Sequence, residues 1–148
     1  MKVTLIHPCI GKHLGQKEYI RTWQMEPLGA ATLASLTPSD HTVKFYDDRL
    51  ESIPFSEKTD LVAISIETYT AKRAYQIASE YRKRNVPVVM GGFHASLCPE
   101  EVSQYAESVV VGEAEASWQQ VLIDAEKKTL KTYYYSKDRP SLDNVMPD

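Results

Sequence analysis

Short apolar runs alternate with amphipathic segments along most of the chain. Five runs have the length and the aliphatic, β-branched content of strands: Val3 to His7, Thr42 to Asp47, Leu61 to Ile66, Val86 to Met90 and Val109 to Val111. The segments between most of them carry apolar residues at three- and four-residue steps, as amphipathic helices do. Strands that alternate with helices predict a parallel sheet with right-handed crossovers and helices on both faces.

The second run differs from the others because polar and apolar residues alternate in it. Val43 and Phe45 fall on one face of Thr42 to Asp47, which is typical of an edge strand with one face in water. Leu61 to Ile66 is almost continuously apolar, as in a central strand buried on both faces. These patterns predict an α/β, doubly wound, flavodoxin-like (Rossmann-like) sheet of five strands in the order 2-1-3-4-5. Thr132 to Tyr135 could add one more edge strand.

Prolines mark the starts of two of the predicted helices. Pro27 sits where a first-turn proline belongs, and that helix should stop before Pro38. Pro99 opens a later helix, with Glu100 and Glu101 placed to complement the helix dipole. We predict one domain over residues 1–135, followed by a polar linker or tail over residues 136–148.

Composition narrows the class of protein. The chain has 148 residues, of which 43% are hydrophobic and 25% charged, as in an ordinary globular domain. Its net charge of −3, without a basic block, disfavours nucleic acid as a partner. The apolar runs are too short to cross a membrane. Two cysteines cannot form a disulfide framework, so we expect a cytoplasmic protein.

Ligands of open α/β sheets bind outside the carboxyl ends of the strands, so the residues there are the candidate site. Two glycines at one such end would let a backbone approach a bulky ligand closely. The sequence has neither the Gly-x-Gly-x-x-Gly turn of dinucleotide sites nor a P-loop. The candidate binding residues are Pro8, Ser65, Ile66, Glu67, Thr68, Tyr69, Gly91, Gly92, Phe93, His94, Gly112 and Glu113.

An ordered set of motifs resembles a known family. Ser65-Ile66-Glu67 and Gly91-Gly92 sit where cobalamin-binding domains of the methionine synthase type carry Ser-x-Leu and Gly-Gly, which line the slot for the dimethylbenzimidazole tail. The chain is more closely similar to the amino-terminal domain of cobalamin-dependent radical SAM enzymes, over roughly Val3 to Val121. The motifs of that resemblance are Glu26-Pro27-Leu28-Gly29, Gly91-Gly92-Phe93-His94, Pro99-Glu100-Glu101 and Val111-Gly112-Glu113-Ala114-Glu115.

The resemblance implies a domain that binds cobalamin through the candidate residues and positions it for methyl transfer or a ring-forming radical reaction. The Asp-x-His-x-x-Gly motif, whose histidine ligates cobalt in the methionine synthase type, is missing after the first strand, which implies base-off cobalamin without that ligand. Glu67 replaces the leucine of Ser-x-Leu, so its carboxylate is expected to face the corrin amides or solvent. A 4Fe–4S cluster and S-adenosylmethionine would belong to a radical SAM catalytic domain, in cis or in trans, because Cys-x3-Cys-x2-Cys is absent here.

Other interpretations of the same residues stay open. The chain could be a degenerate or stand-alone flavodoxin-like module that binds another ligand or a partner protein. An enzyme using His94 and Glu67 as acid and base ranks last, because no triad supports it. His94 and Cys98 are four residues apart, but no further ligand has matching spacing, so we predict no metal site and expect His94 to be a hydrogen-bonding loop residue.

Overall fold

The computed structural model describes residues 1–11 and 26–136. All strands of its single sheet are parallel, in the order β2-β1-β3-β4-β5-β6. The strands are β1 (Lys2–His7), β2 (Thr42–Asp47), β3 (Leu61–Ser65), β4 (Val88–Gly91), β5 (Ser108–Val111) and β6 (Tyr133–Tyr135). The doubly wound class and the order of the first five strands are therefore confirmed.

The sheet has six strands rather than the five predicted. β6 pairs with β5 in parallel, and the Val109 amide donates to the Thr132 carbonyl at 2.9 Å just before β6 begins. This is the additional edge strand that the run Thr132 to Tyr135 indicated, although the partner of such a short run is a long-range contact that the run alone does not specify. The added strand extends the sheet at the edge opposite β2 and leaves the fold class unchanged.

Within the described residues, five α-helices lie between the strands. They are α1 (Leu28–Leu36), α2 (Ala71–Arg82), α3 (Phe93–Leu97), α4 (Pro99–Val102) and α5 (Trp118–Glu126). Pro27 immediately precedes α1, and Pro99 is the first residue of α4, as the sequence predicts. His94 was expected in a loop. It lies in α3, because this short helix begins at Phe93 directly after the two glycines.

The helices cover the two faces of the sheet as two separate apolar clusters. Residues of α2, α3 and α4 pack with Val62, Ile64, Val88 and Met90 on one face, which we call the packed face. Residues of α1 and α5 pack with Leu5, Ala63, Val89 and others on the opposite face, which we call the slot face for the cavity described below. Successive strand residues point to opposite faces, so one strand serves both clusters.

The edges of the sheet agree with the hydrophobic pattern. β2 is an edge strand, as its alternation predicts, but Phe45 on its apolar face is still 39% exposed. No helix within residues 1–11 and 26–136 is long and apolar enough to cross a bilayer. The predicted linker over residues 136–148 lies outside the described residues except for Ser136, whose amide donates to the Val111 carbonyl at 3.0 Å.

Candidate functional site

A cavity of about 160 Å³ opens on the slot face at the carboxyl ends of the inner strands. We call it the slot. It lies between the sheet, the start of α1 and the start of α5. Its lining includes Leu5, Gly29, Ala30, Leu33, Ala63, Ser65, Val89, Gly91, Gly92, Val110, Gly112, Glu113, Ala114, Glu115 and Trp118. This position, outside the strand ends of an open parallel sheet, is where doubly wound proteins bind ligands.

The slot exists because small residues occupy the upper positions of the slot face. Ala63 and Ser65 end β3 on this face, and Gly91 ends β4 beside them. A Cβ built on Gly91 would meet only Val110, at 3.6 Å from its Cβ. A Cβ built on Gly29 of α1, across the slot, would have nothing within 4 Å. The space between α1 and the sheet therefore stays open because glycine, alanine and serine occupy these positions instead of larger residues.

Gly92 has a different role from that of Gly91. Its φ of +103° is a conformation that side chains disfavour, and a Cβ there would come within 2.8 Å of the Ile66 carbonyl oxygen. The Ile66 amide donates to the Gly91 carbonyl, and the same Ile66 carbonyl accepts from the His94 amide at 3.1 Å. Gly92 thus lets the chain turn tightly against the end of β3 before α3 begins.

A more polar pocket of about 440 Å³ adjoins the slot, with which it shares Gly29, Ala30 and Ser65. We call it the outer pocket. Its remaining wall consists of His7, Ile10, Glu26, Pro27, Leu28, Arg49, Glu67 and Tyr69. An apolar slot that opens into a polar, partly charged mouth suits a ligand with one apolar flat end and one end rich in hydrogen-bonding groups.

Electrostatics at the outer pocket centre on an ion pair. Arg49 donates from Nε to Asp47 Oδ1 at 2.8 Å and from Nη2 to Oδ2 at 2.6 Å. Burial by itself would raise the pKa of Asp47, but the hydrogen bonds and charge of Arg49 outweigh burial and hold that pKa below its ordinary value. Burial, followed by the charge of Arg49, also lowers the pKa of His7, so its imidazole is neutral at pH 7.

The structure brings together some of the sequence-predicted residues and separates others. Ser65, Gly91, Gly92, Gly112 and Glu113 line the slot, while Glu67 and Tyr69 line the outer pocket. Glu67, which was expected to face corrin amides or solvent, is therefore absent from the lining of the slot. The predicted residues that border neither cavity are Pro8, Ile66, Thr68, Phe93 and His94.

The direction in which their side chains point explains why Ile66 and His94 border neither cavity. Ile66 is fully buried in the cluster of the packed face. His94, 7% exposed, has Nδ1 at 3.2 Å from Thr68 Oγ1 and Nε2 at 3.5 Å from Glu101 Oε1, and its neighbour Ala95 belongs to the packed-face cluster. A strand-end motif locates the carboxyl edge of the sheet, but the side chains of consecutive residues in the motif point to opposite faces of the sheet.

Sequence reasoning missed the slot residues that lie below the strand ends and on the helices. Ala63 and Val89 sit two residues before Ser65 and Gly91, so strand alternation could have placed them on the same face. Gly29 stood in a quoted motif without an assigned role. Trp118 is 1% exposed in the core of the slot face and also borders the slot.

Comparison with known proteins agrees with this geometry. The fold and the strand-end slot define a flavodoxin-like binding domain. A family model described as the B12 binding domain matches residues 23–122, and the chain belongs to that family.

Curated relatives share the same region. The chain is 40% identical over 121 residues to the bacteriochlorophyllide d C-8(2)-methyltransferase of Chlorobaculum tepidum, covering 81% of this chain and 27% of the relative. It is 32% identical over 124 residues to the bacteriochlorophyllide d C-12(1)-methyltransferase of the same organism, covering 82% and 27%. An uncharacterized methyltransferase of Pyrococcus horikoshii is 35% identical over 115 residues, covering 69% and 25%. The chain thus spans about a quarter of the length of these relatives.

Proposed function

We propose that this chain binds cobalamin in the base-off form and positions it for a methyltransferase or cyclase-type reaction. The observation that carries the proposal is the slot, an apolar cavity at the carboxyl ends of β1, β3, β4 and β5 within a chain of the B12-binding family. The similarity to curated methyltransferases supports methyl transfer as the reaction that the domain serves.

The residues present fit this cofactor. The slot receives the flat, apolar dimethylbenzimidazole tail, because Gly29, Ala63 and Gly91 leave the space and Ser65 places a hydroxyl at the shared wall of the two cavities. The amide-fringed corrin then meets the outer pocket, where Glu67 and Arg49 offer charged partners and Tyr69, 65% exposed, offers a ring for packing.

Bound cobalamin carries a methyl group between donor and acceptor, and the protein supplies orientation. Gly29 of α1 and the strand-end residues Ser65 and Gly91 would hold the tail of a bound cobalamin, and His7 and Arg49 of the outer pocket would face its corrin. We further propose that a radical SAM catalytic domain, in cis or in trans, supplies the 4Fe–4S cluster and S-adenosylmethionine, because this sequence has two cysteines and lacks the three-cysteine motif.

The test is retention of hydroxocobalamin by the purified chain through gel filtration, with an absorption spectrum of the base-off form. Gly91→Leu should weaken binding roughly 100-fold, because a leucine side chain fills the slot. Ser79→Leu is the matched control, since Ser79 is exposed on α2 over the packed face, and it should bind like the wild type.

Two outcomes would contradict the proposal. One is no retention of cobalamin by the chain even when a radical SAM domain is supplied. The other is equal binding by wild type and Gly91→Leu, since the cofactor tail would then lie outside the slot. The first result would favour a flavodoxin-like module that binds another ligand or a partner protein.

A further inference from the structure

Three potential metal ligands converge on the packed face, away from both cavities. His94 belongs to α3, Cys98 lies between α3 and α4, and Glu101 belongs to α4. Their donor atoms, an imidazole nitrogen, a thiol sulfur and a carboxylate oxygen, all lie within 4.8 Å of one another. Cys98 has non-helical dihedrals, so the junction between α3 and α4, rather than the spacing of one continuous helix, brings the three side chains together.

The surroundings orient two of the three donors. With its proton on Nε2, His94 donates to Glu101 Oε1 at 3.5 Å; with the proton on Nδ1 it donates instead to Thr68 Oγ1 at 3.2 Å, and Nε2 and Glu101 Oε1 are then two acceptors that a cation can bridge. Tyr75 donates its hydroxyl to the same Glu101 oxygen at 2.8 Å, and its ring stacks on Tyr105 at 3.9 Å between centroids. Outer hydrogen bonds of this kind hold histidine and carboxylate ligands in place in protein metal sites.

We propose that His94, Cys98 and Glu101 bind a divalent metal ion of the zinc class, at a site separate from the cobalamin slot. A mixed nitrogen, sulfur and oxygen set suits Zn²⁺, whose bonds of about 2.0–2.3 Å place tetrahedral ligands about 3.5 Å apart. The His94–Glu101 pair already has that separation, so Cys98 Sγ has to move inward by no more than about 1 Å.

The exposure of the three ligands indicates how accessible a bound ion would be to solvent. His94 is buried and Cys98 is partly buried, while Glu101 is exposed, so the site lies at the protein surface and solvent can reach a bound ion. Three protein ligands with one open position can hold water or a ligand from a partner. A bound ion would also fasten α3 and α4 to Thr68, which begins the short 3-10 helix after β3 and lies next to Glu67 and Tyr69 of the outer pocket.

The probe is Co²⁺ added to the purified, cobalamin-free chain, followed by visible and near-ultraviolet absorption. We expect binding of one ion per chain, a thiolate-to-cobalt charge-transfer band, and displacement of Co²⁺ by Zn²⁺. The sequence has two cysteines, so Cys98→Ala should abolish the band, while Cys9→Ala, which alters a buried cysteine at the end of β1, should retain it. Circular dichroism reports whether each variant folds.

A finer variant separates a metal site from a hydrogen-bond network. Tyr75→Phe keeps the stacked ring but removes the hydroxyl that donates to Glu101, and should weaken Co²⁺ binding about tenfold. Absence of one-to-one binding, or a charge-transfer band that survives Cys98→Ala, would overturn the proposal and leave these residues as a hydrogen-bonded network. Because no cobalamin is present, such a failure would not bear on the proposed cofactor function.

Discussion

Alternate residues of the same strands form the packed face and the slot face of the sheet. The two faces differ in the size of the side chains at the carboxyl ends of the strands. On the packed face Ile64, Ile66 and Met90 are at most 1% exposed and fill the space under the helices. On the slot face Ala63, Ser65 and Gly91 leave that space open. A few small side chains, at every second position of two neighbouring strands, are therefore enough to turn a solid interior into a ligand cavity.

The largest effect that we predict is a difference in stability between substitutions at the two adjacent glycines. Gly92→Ala should lower the free energy of unfolding by about 3 kcal/mol, because its positive φ and the Ile66 carbonyl, 2.8 Å from the new Cβ, both oppose a side chain. Gly91→Ala should change it by less than about 0.5 kcal/mol, since its Cβ makes ordinary contact with Val110. Urea unfolding of both variants measures the difference. Equal losses would show that the turn at Gly92 is not as tight as described.

Substitutions of two adjacent valines in β4 compare the packing of the two faces directly. Val88 is fully buried on the packed face, and Val89, 2% exposed, borders the slot. Val88→Ala should cost about 2–3 kcal/mol of stability, because the lost methyl groups leave a new cavity. Val89→Ala should cost about 1 kcal/mol, because one side of that valine already faces empty space.

The readout for this pair is again urea unfolding, with cobalamin affinity measured alongside. Only Val89→Ala should alter the affinity, since Val88 lies on the opposite face from the slot. A loss of stability that is the same for both valines would contradict the difference in packing between the two faces.

The outer pocket should make stability sensitive to acid. Because the folded-state pKa of Asp47 is lowered, its contribution is complete above the unfolded pKa of about 3.9 and is lost as pH falls through the folded value. Wild type should therefore lose more stability between pH 6 and pH 3 than Asp47→Asn. Unfolding by urea at each pH tests this. Parallel curves for the two proteins would show that the Arg49 pair does not stabilise the folded state.

The smallest effect concerns His7, which ends β1 in the outer pocket. We predict that the chain binds cobalamin without a cobalt ligand from this part of the fold, so His7→Ala should leave the electron paramagnetic resonance spectrum of bound cob(II)alamin unchanged. Splitting of the wild-type signal by an axial nitrogen, lost in His7→Ala, would refute the prediction. The affinity for cobalamin should change little in the same variant.

The sequence determined most of the fold because hydrophobic periodicity is a local property. Alternation in β2, continuous apolar residues in β3 and the prolines at 27 and 99 located strands and helix starts, and strand-end residues such as Ser65 and Gly91 located the ligand rim. The tertiary structure decided what depends on long-range packing: the pairing of β6 with β5, the opposite directions of Ser65 and Ile66, and the approach of Glu101 to His94 and Cys98. Residue spacing fixes which side chains share an element, whereas only packing fixes what each side chain meets.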